Sequence, residues 1–281
     1  MRQLYQTRTV TILVLPGLLF VFAFFVLPLL FLLLESFQDV ETLRLTFDGY
    51  INFFQKESSV FIYGRTLRLG LVITLICIVL AYPSSYLLAR MPVRRRTFLM
   101  SLVLLPLMTN PVARTYAWLI ILGRSGLINN LLLSLGLAEQ PQRLLFTEGA
   151  IVLGLSQLFL PLMVLPLVSA MENIPKDVEE AARSLGANGF TAFTRIIIPL
   201  SADGLVLGAT LVFTGATTAY VTPAILGGNR LLLMSTLLRQ RALAAFDSHG
   251  ATVIAVIMIL TTLAVNLLVR AFRPKPVTQG S

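Results

Sequence analysis

Ile174-Pro175-Lys176-Asp177-Val178-Glu179-Glu180-Ala181-Ala182-Arg183-Ser184-Leu185-Gly186, followed by Ile196-Ile197-Ile198-Pro199, lies between two long apolar runs. Pro175 stands just before a polar segment. Asp177, with Glu180 three residues on, has the form of a capping box with Asp in the cap position. Ala181, Ala182 and Leu185 supply a small, mildly apolar face, and Gly186 is placed to end the helix. A second short helix is expected from about Phe190, and Ile196 to Pro199 opens the next apolar run. Such a helix, with small side chains between two apolar runs, is either a polar connection or a knob shaped for another protein's groove.

The surrounding sequence defines what this helix connects. Of 281 residues, 56% are hydrophobic and only 12% charged, with a mean hydropathy of +0.84. Soluble domains carry about a quarter charged residues, so too few polar groups are present to clothe a soluble protein of this size. A hydrocarbon core about 30 Å thick needs about 20 apolar helical residues. Six stretches near that length occur, at 9–34, 69–89, 97–123, 149–171, 196–220 and 250–269. The third is interrupted only by Arg114, and the fifth carries Asp203 near its start. Residues 172–195 form the connecting segment between the fourth and fifth, and 1–281 reads as one transmembrane domain. The first run is too long for the apolar part of a signal peptide and no small-residue cleavage site follows, so it is expected as an uncleaved helix.

Six spans put both termini on one side. The dense basic cluster Arg90, Arg94, Arg95 and Arg96 occupies a very short loop, where the positive-inside rule is strongest, so that side and both termini are expected to be cytoplasmic. The net charge of +9 therefore reads as orientation rather than nucleic-acid binding, since no basic face interleaved with aromatics is present. Cys77 has no partner for a disulfide and His249 is the single histidine, which excludes disulfide frameworks and multi-histidine zinc sites. Two outer loops, 127–137 and 231–246, carry short helix-like patterns that read as interfacial helices.

The run Glu180-Ala181-Ala182, three residues, Gly186, nine residues and Ile196-Ile197-Ile198-Pro199 resembles the EAA loop of ABC-importer permeases. Ile198 replaces the usual leucine, and Leu185 stands where many members have aspartate. The resemblance implies an all-α membrane protein with the type I ABC-importer permease fold, six transmembrane helices and a cytoplasmic coupling helix. It further implies that Glu180, Ala181, Ala182, Gly186 and Pro199 belong to the contact with an ATP-binding subunit dimer, which binds ATP and Mg; this chain holds no cofactor of its own. The other implied partners are a second homologous permease, an extracytoplasmic substrate-binding protein and the lipid bilayer, in a bacterial inner membrane. Arg114-Thr115-Tyr116-Ala117-Trp118, Leu122-Gly123-Arg124, Gly126-Leu127-Ile128-Asn129 and Tyr220-Val221-Thr222-Pro223-Ala224-Ile225-Leu226-Gly227-Gly228 are similar to spermidine/putrescine-type permeases. The likeness runs from about Arg65 onward and implies polyamine uptake.

The chain's own chemistry is consistent with a division of labour. No G-x-x-x-x-G-K-[ST] loop occurs and no lysine follows a glycine, so no phosphate cradle of that kind is present. No nucleophile, base and orienter constellation appears, and the chain is not expected to be an enzyme. Intramembrane charge is costly, which singles out Arg114 and Asp203. Arg114 either meets a solute, snorkels outward or holds a backbone carbonyl at the Pro111 kink; Asp203 either lies on the path or caps the helix restarted after Pro199. Tyr116, Trp118 and Tyr220 either line a path, with cation–π attraction for an ammonium, or belong to an interfacial aromatic belt. A pore specific for a polycation should show acids at membrane depth, and this one shows an arginine and a shallow aspartate. Either partners supply the acids, or the solute is anionic or zwitterionic, such as an opine or a phosphonate. An ion-gradient transporter would instead show inverted repeats and paired intramembrane acids, and neither is seen.

Overall fold

The computed structural model describes residues 13–39 and 44–271, and among these the chain is helical apart from turns and one isolated bridge between Gln38 and Leu45. Arg2, Arg8, Glu41, Arg273 and Lys275 lie outside the described residues, as do the first four residues of the first expected span. The helices in chain order begin with α1 (Leu13–Ser36), α2 (Asp48–Gln55), α3 (Glu57–Arg90), α4 (Val93–Met108), α5 (Pro111–Ile121) and α6 (Leu127–Ser134). They continue with α7 (Glu148–Glu172), α8 (Lys176–Ser184), α9 (Gly189–Leu200), α10 (Ala202–Thr218), α11 (Val221–Leu226), α12 (Met234–Arg239) and α13 (Ser248–Ala271).

Helices α1, α3, α7 and α13 are each long and apolar enough to cross a membrane, and six spans result if each of two bent pairs counts as one. The third and fifth spans, where Pro111 and Pro199 mark a kink and a restart in the sequence, are those pairs. Helix α4 meets α5 at 93°, and α9 meets α10 at 69°. At the first break Pro111 bars the residue before it from helical geometry, and Asn110 adopts φ −56°, ψ 125°. The Asn110 Oδ1 then accepts from the amides of Val112 at 2.8 Å and Ala113 at 3.2 Å, capping α5. At the second break Pro199 donates no amide hydrogen, and the fully buried Ser201 turns its hydroxyl back onto the Ile197 carbonyl at 2.7 Å.

Contacts group the chain into two compact units, Met1–Val60 with Leu238–Leu260, and Phe61–Leu237 with Thr261–Ser281. In the first, α1 buries only Ser36 among its last ten residues and otherwise presents apolar side chains outward, the pattern of a helix bathed in hydrocarbon. The Ser36 hydroxyl meets the Tyr50 hydroxyl at 2.7 Å. Asp247 caps the start of α13 by accepting from the Gly250 amide at 2.8 Å and pairs with Arg241 at 2.6 Å. Burial works against that carboxylate's charge, but the Gly250 amide, Arg241 and His249 together hold it below the ordinary carboxylate range.

The second unit is built around α7. Helix α3, 34 residues long, runs about 51 Å at about 1.5 Å per residue and so exceeds the hydrocarbon thickness. Its Ile73, Cys77 and Ala81, four residues apart, are completely buried in one core with Ile151, Leu155, Met163 and Leu167 of α7 and Val212 and Ala216 of α10. The most extensive helix–helix contact is between α7 and α10. It depends on two glycines: a Cβ at Gly204 would stand 2.5 Å from the Pro166 carbonyl oxygen, and one at Gly208 would stand 2.7 Å from the Met163 sulfur. Between helices in lipid there is no hydrophobic drive, so such close backbone approach is what supplies the packing energy.

Gly204→Leu should therefore cost about 1–3 kcal/mol by overpacking. The loss would be read as earlier melting of the detergent-solubilised protein in fluorescence-detected size exclusion. Gly64→Ala, in the open on α3, should gain about 0.5–1 kcal/mol through helix propensity. Equal melting of the two variants would count against the α7–α10 contact.

Candidate functional site

Two places collect the residues singled out by sequence. The first is α8. It starts at Lys176, two residues earlier than a cap at Asp177 requires. Pro175, with ψ 139°, occupies the cap position and makes no side-chain cap bond. Asp177 is instead in the first turn, where the helix dipole favours its charge. At the other end Gly186 has φ +87°, a conformation costly for any residue with a Cβ. Its amide donates to the Arg183 carbonyl at 2.9 Å, and the Ala187 amide donates to the Ala182 carbonyl at 3.0 Å. These are the two bonds of a Schellman stop.

Around α8 the faces divide. Ala182 is buried, whereas Glu180, Ala181, Ser184 and Leu185 are exposed, Leu185 at 89% and nearby Phe190 at 75%. The small apolar face expected from sequence is thus split: Ala182 packs inward while Ala181 and Leu185 face out. Pro199 lies farther on, exposed in the last turn of α9 beside the Ser201 bend. Sequence reasoning missed Glu179. Its carboxylate pairs with Arg90 at the end of α3 and accepts a hydrogen bond from the Tyr86 hydroxyl at 3.0 Å. Tyr82, Tyr86 and Arg90 recur every fourth residue at the C-terminal end of a largely apolar span, the available signal for that contact.

The second place is α5. Arg114 is only 9% exposed, and its Nη1 donates to the Pro106 carbonyl at 2.5 Å, across the α4–α5 break. This realises the alternative in which the arginine holds a carbonyl at the Pro111 kink. Its Nη2 is buried with no partner among the described residues. Thr115, next to it, is buried and meets the Thr222 hydroxyl of α11 at 3.3 Å. Trp118 lies one turn on, and its indole N–H donates to Gln157 Oε1 of α7 at 2.7 Å. Beside that pair, Ile76 and Leu80 of α3 and Val152, Leu153, Ser156 and Leu160 of α7 line a cavity of ≈ 530 Å³ with no charged residue among its walls.

The remaining expected path residues do not join this cluster. Tyr116 points away, 55% exposed. Tyr220 is half-buried at the start of α11. Asp203 is exposed in the first turn of α10, where Ser201 takes the cap position. Because α10 is 17 residues long, about 25 Å of helix separates Asp203 from the Tyr220 end. Gln157, which sequence reasoning did not single out, is the polar group that Trp118 engages.

Broken apolar spans with a short capped helix exposed between the fourth and fifth crossings define a membrane-spanning permease subunit of an ABC importer. Residues 2–277 match the model of the binding-protein-dependent transport system inner membrane component family, and the chain belongs to that family. It is 33% identical over 258 residues, 87% of its own length and 90% of the relative's, to the spermidine/putrescine transport system permease protein PotB of Haemophilus influenzae. It is 38% identical over 183 residues, 65% of its length and 66% of the relative's, to PotB of Escherichia coli strain K12. In fold it is similar to a chain of a bacterial alginate ABC transporter solved with an alginate pentasaccharide-bound periplasmic protein, with a TM-score of 0.82, 16% identity and coverage of 100% and 99% of the two chains. The all-α permease fold expected from sequence is therefore present. The family is an inner-membrane transport component that works with an ATPase and a binding protein, not a catalytic subunit.

Trp118 is the only tryptophan in the chain, so its fluorescence reports this site alone. Gln157→Leu should move the emission maximum of the purified protein to shorter wavelength, because the indole loses its polar partner and gains an apolar wall. Emission unchanged by the substitution would argue that the Trp118–Gln157 bond is not made.

Proposed function

We propose that this chain forms one half of the membrane pathway of a polyamine importer, paired with a homologous second permease and served by an extracytoplasmic binding protein. ATP and Mg are bound by a dimer of ATP-binding subunits, and both termini of this chain face the cytoplasm with them. The observation that carries the polyamine reading is the 33% identity to a spermidine/putrescine permease over 90% of that relative. In this reading α8 is the coupling helix: Glu180, Ala181 and Leu185 are offered to the ATP-binding subunit, Ala182 seats the helix, Gly186 terminates it and Pro199 begins the span it moves. Its exposed face and its Schellman stop support that role.

The cavity beside Trp118 supports a path of low selectivity. It offers an indole face and the Gln157 amide but no carboxylate, so a polyammonium would be held weakly. Conduction needs binding weak enough to release, and selectivity then falls to the binding protein and the companion permease. One observation favours a second reading. The unpartnered Nη2 of buried Arg114 would suit the negative group of an opine or a phosphonate.

Uptake of radiolabelled putrescine and spermidine by the complete complex in proteoliposomes decides between them. Saturable uptake of either, unaffected by opine or phosphonate competitors, is expected; uptake of neither, with competitors transported instead, would establish the second reading. In the same vesicles Glu180→Arg and Gly186→Val should each lower solute moved per ATP by about fivefold or more. Full transport by both variants would remove the coupling role of α8.

A further inference from the structure

The inner end of α3 carries Tyr82, Tyr86 and Arg90 at successive spacings of four, which on a helix is one continuous ridge. Two members of the ridge hold the same carboxylate and the third reaches a separate bend. Arg90 pairs with Glu179 of α8, and its Nη1 donates to the Ile174 carbonyl at 3.2 Å, just ahead of α8. Tyr86 donates to the second oxygen of Glu179 at 3.0 Å. Tyr82, only 7% exposed, meets the Ser201 hydroxyl at 3.3 Å, at the α9–α10 bend. Phe193 of α9 stands edge-on to both tyrosines, with ring centroids 6.1 Å from Tyr82 and 5.4 Å from Tyr86.

We infer that this ridge is the positioning device that carries displacement of α8 into the bend between α9 and α10, with Glu179 as the handle. The inference rests on the coupling role proposed above for α8. Adjacent residues on a helix point about 100° apart, so Glu179 and Glu180 give α8 two distinct carboxylates. Glu180 is exposed and free to meet another protein, while Glu179 is held against the chain's own α3. The pair it makes is poorly hydrated, with side-chain exposures of 19% for Arg90 and 12% for Glu179. A charge-assisted contact with both carboxylate oxygens engaged resists being slid or pulled apart. A rigid-body shift of α8 is thereby delivered to α3 rather than absorbed in the loop at 173–175. From α3 it reaches Ser201, whose hydroxyl and amide both bond the Ile197 carbonyl at the bend. That bend is the compliant point of the fifth span, since its backbone already departs from helix at ψ 7°.

Spatial continuity alone does not establish coupling, so the test measures it directly. The complete complex, with companion permease and ATP-binding subunits, is placed in nanodiscs, and amide hydrogen exchange over residues 198–205 is compared between nucleotide-free and ATP–vanadate-trapped states. This readout needs no transported solute. The native complex should show an exchange difference at the bend. Glu179→Gln and Arg90→Gln should shrink that difference by about fivefold or more with the ATP-binding subunits still bound. The reversed pair Arg90→Glu with Glu179→Arg should restore much of it, which a merely lost contact would not do. Should these charged-pair variants fail to assemble, Tyr86→Phe, which removes one hydroxyl, decides: a reduced difference supports the ridge and a native-sized one overturns it. Glu180→Arg separates the two claims. If it releases the ATP-binding subunits or abolishes the exchange difference while Glu179→Gln and Arg90→Gln respond like the native chain, the ridge fails and the coupling role of α8 stands. If Glu180→Arg is itself without effect, the coupling role fails with it.

Discussion

Within a bilayer every backbone amide and carbonyl has to find a partner inside the protein, and this constraint shapes the chain at each place where a span is not a straight helix. Two prolines, Pro111 and Pro199, break the hydrogen-bond ladder of the third and fifth spans. At the first break the Asn110 side chain takes two amides and Arg114 takes the Pro106 carbonyl; at the second the Ser201 hydroxyl joins its own amide on the Ile197 carbonyl. The residues at the breaks also stand beside the groups singled out above. Arg114 precedes Trp118 by one turn, and Ser201 is the contact of Tyr82.

Helix α3 gives these local repairs a common frame. Towards its N-terminal end Arg65 and Arg68 both pair with Glu148 at the start of α7. At its C-terminal end Arg90 pairs with α8, while Arg96 of α4 pairs with Glu172 at the end of α7. Between these ends the contact with α7 is apolar and tight. Exposed ion pairs contribute little to stability, so Arg68, at 61% side-chain exposure, adds little to the Arg65–Glu148 pair, whereas both members of Arg90–Glu179 are well shielded.

Electrostatics bear on the solute as well. Relatives are named for spermidine and putrescine, which are polycations, yet the polar groups described around Trp118 and the α4–α5 break are an indole, an amide, hydroxyls and an arginine. A weakly binding path beside an arginine is understandable if discrimination occurs before the solute enters it. A permease of this kind needs to admit and release, and a deep acidic site would trap a polyammonium.

The membrane class, the helical architecture and the presence of α8 were legible in the sequence, because each is written in local terms. Apolar runs of bilayer length, a glycine able to adopt positive φ at the helix stop, and the spacing from Glu180 to Pro199 all act over short stretches of chain. Proline positions marked where spans weaken, but not that the third turns through 93° while Pro83 leaves α3 unbroken; neighbouring helices decide whether a lost hydrogen bond becomes a bend. The start of α8 was misplaced by two residues because Pro175 itself has the extended geometry a cap needs. Glu179 and Gln157 stayed hidden for a different reason. Their partners, Arg90 and Trp118, are 89 and 39 residues away, and one sequence carries no record of distant contacts. Sequence by itself determined that this chain crosses a membrane and carries a short helix between its fourth and fifth spans; only tertiary packing decided which of two adjacent glutamates faces outward and which is bound within.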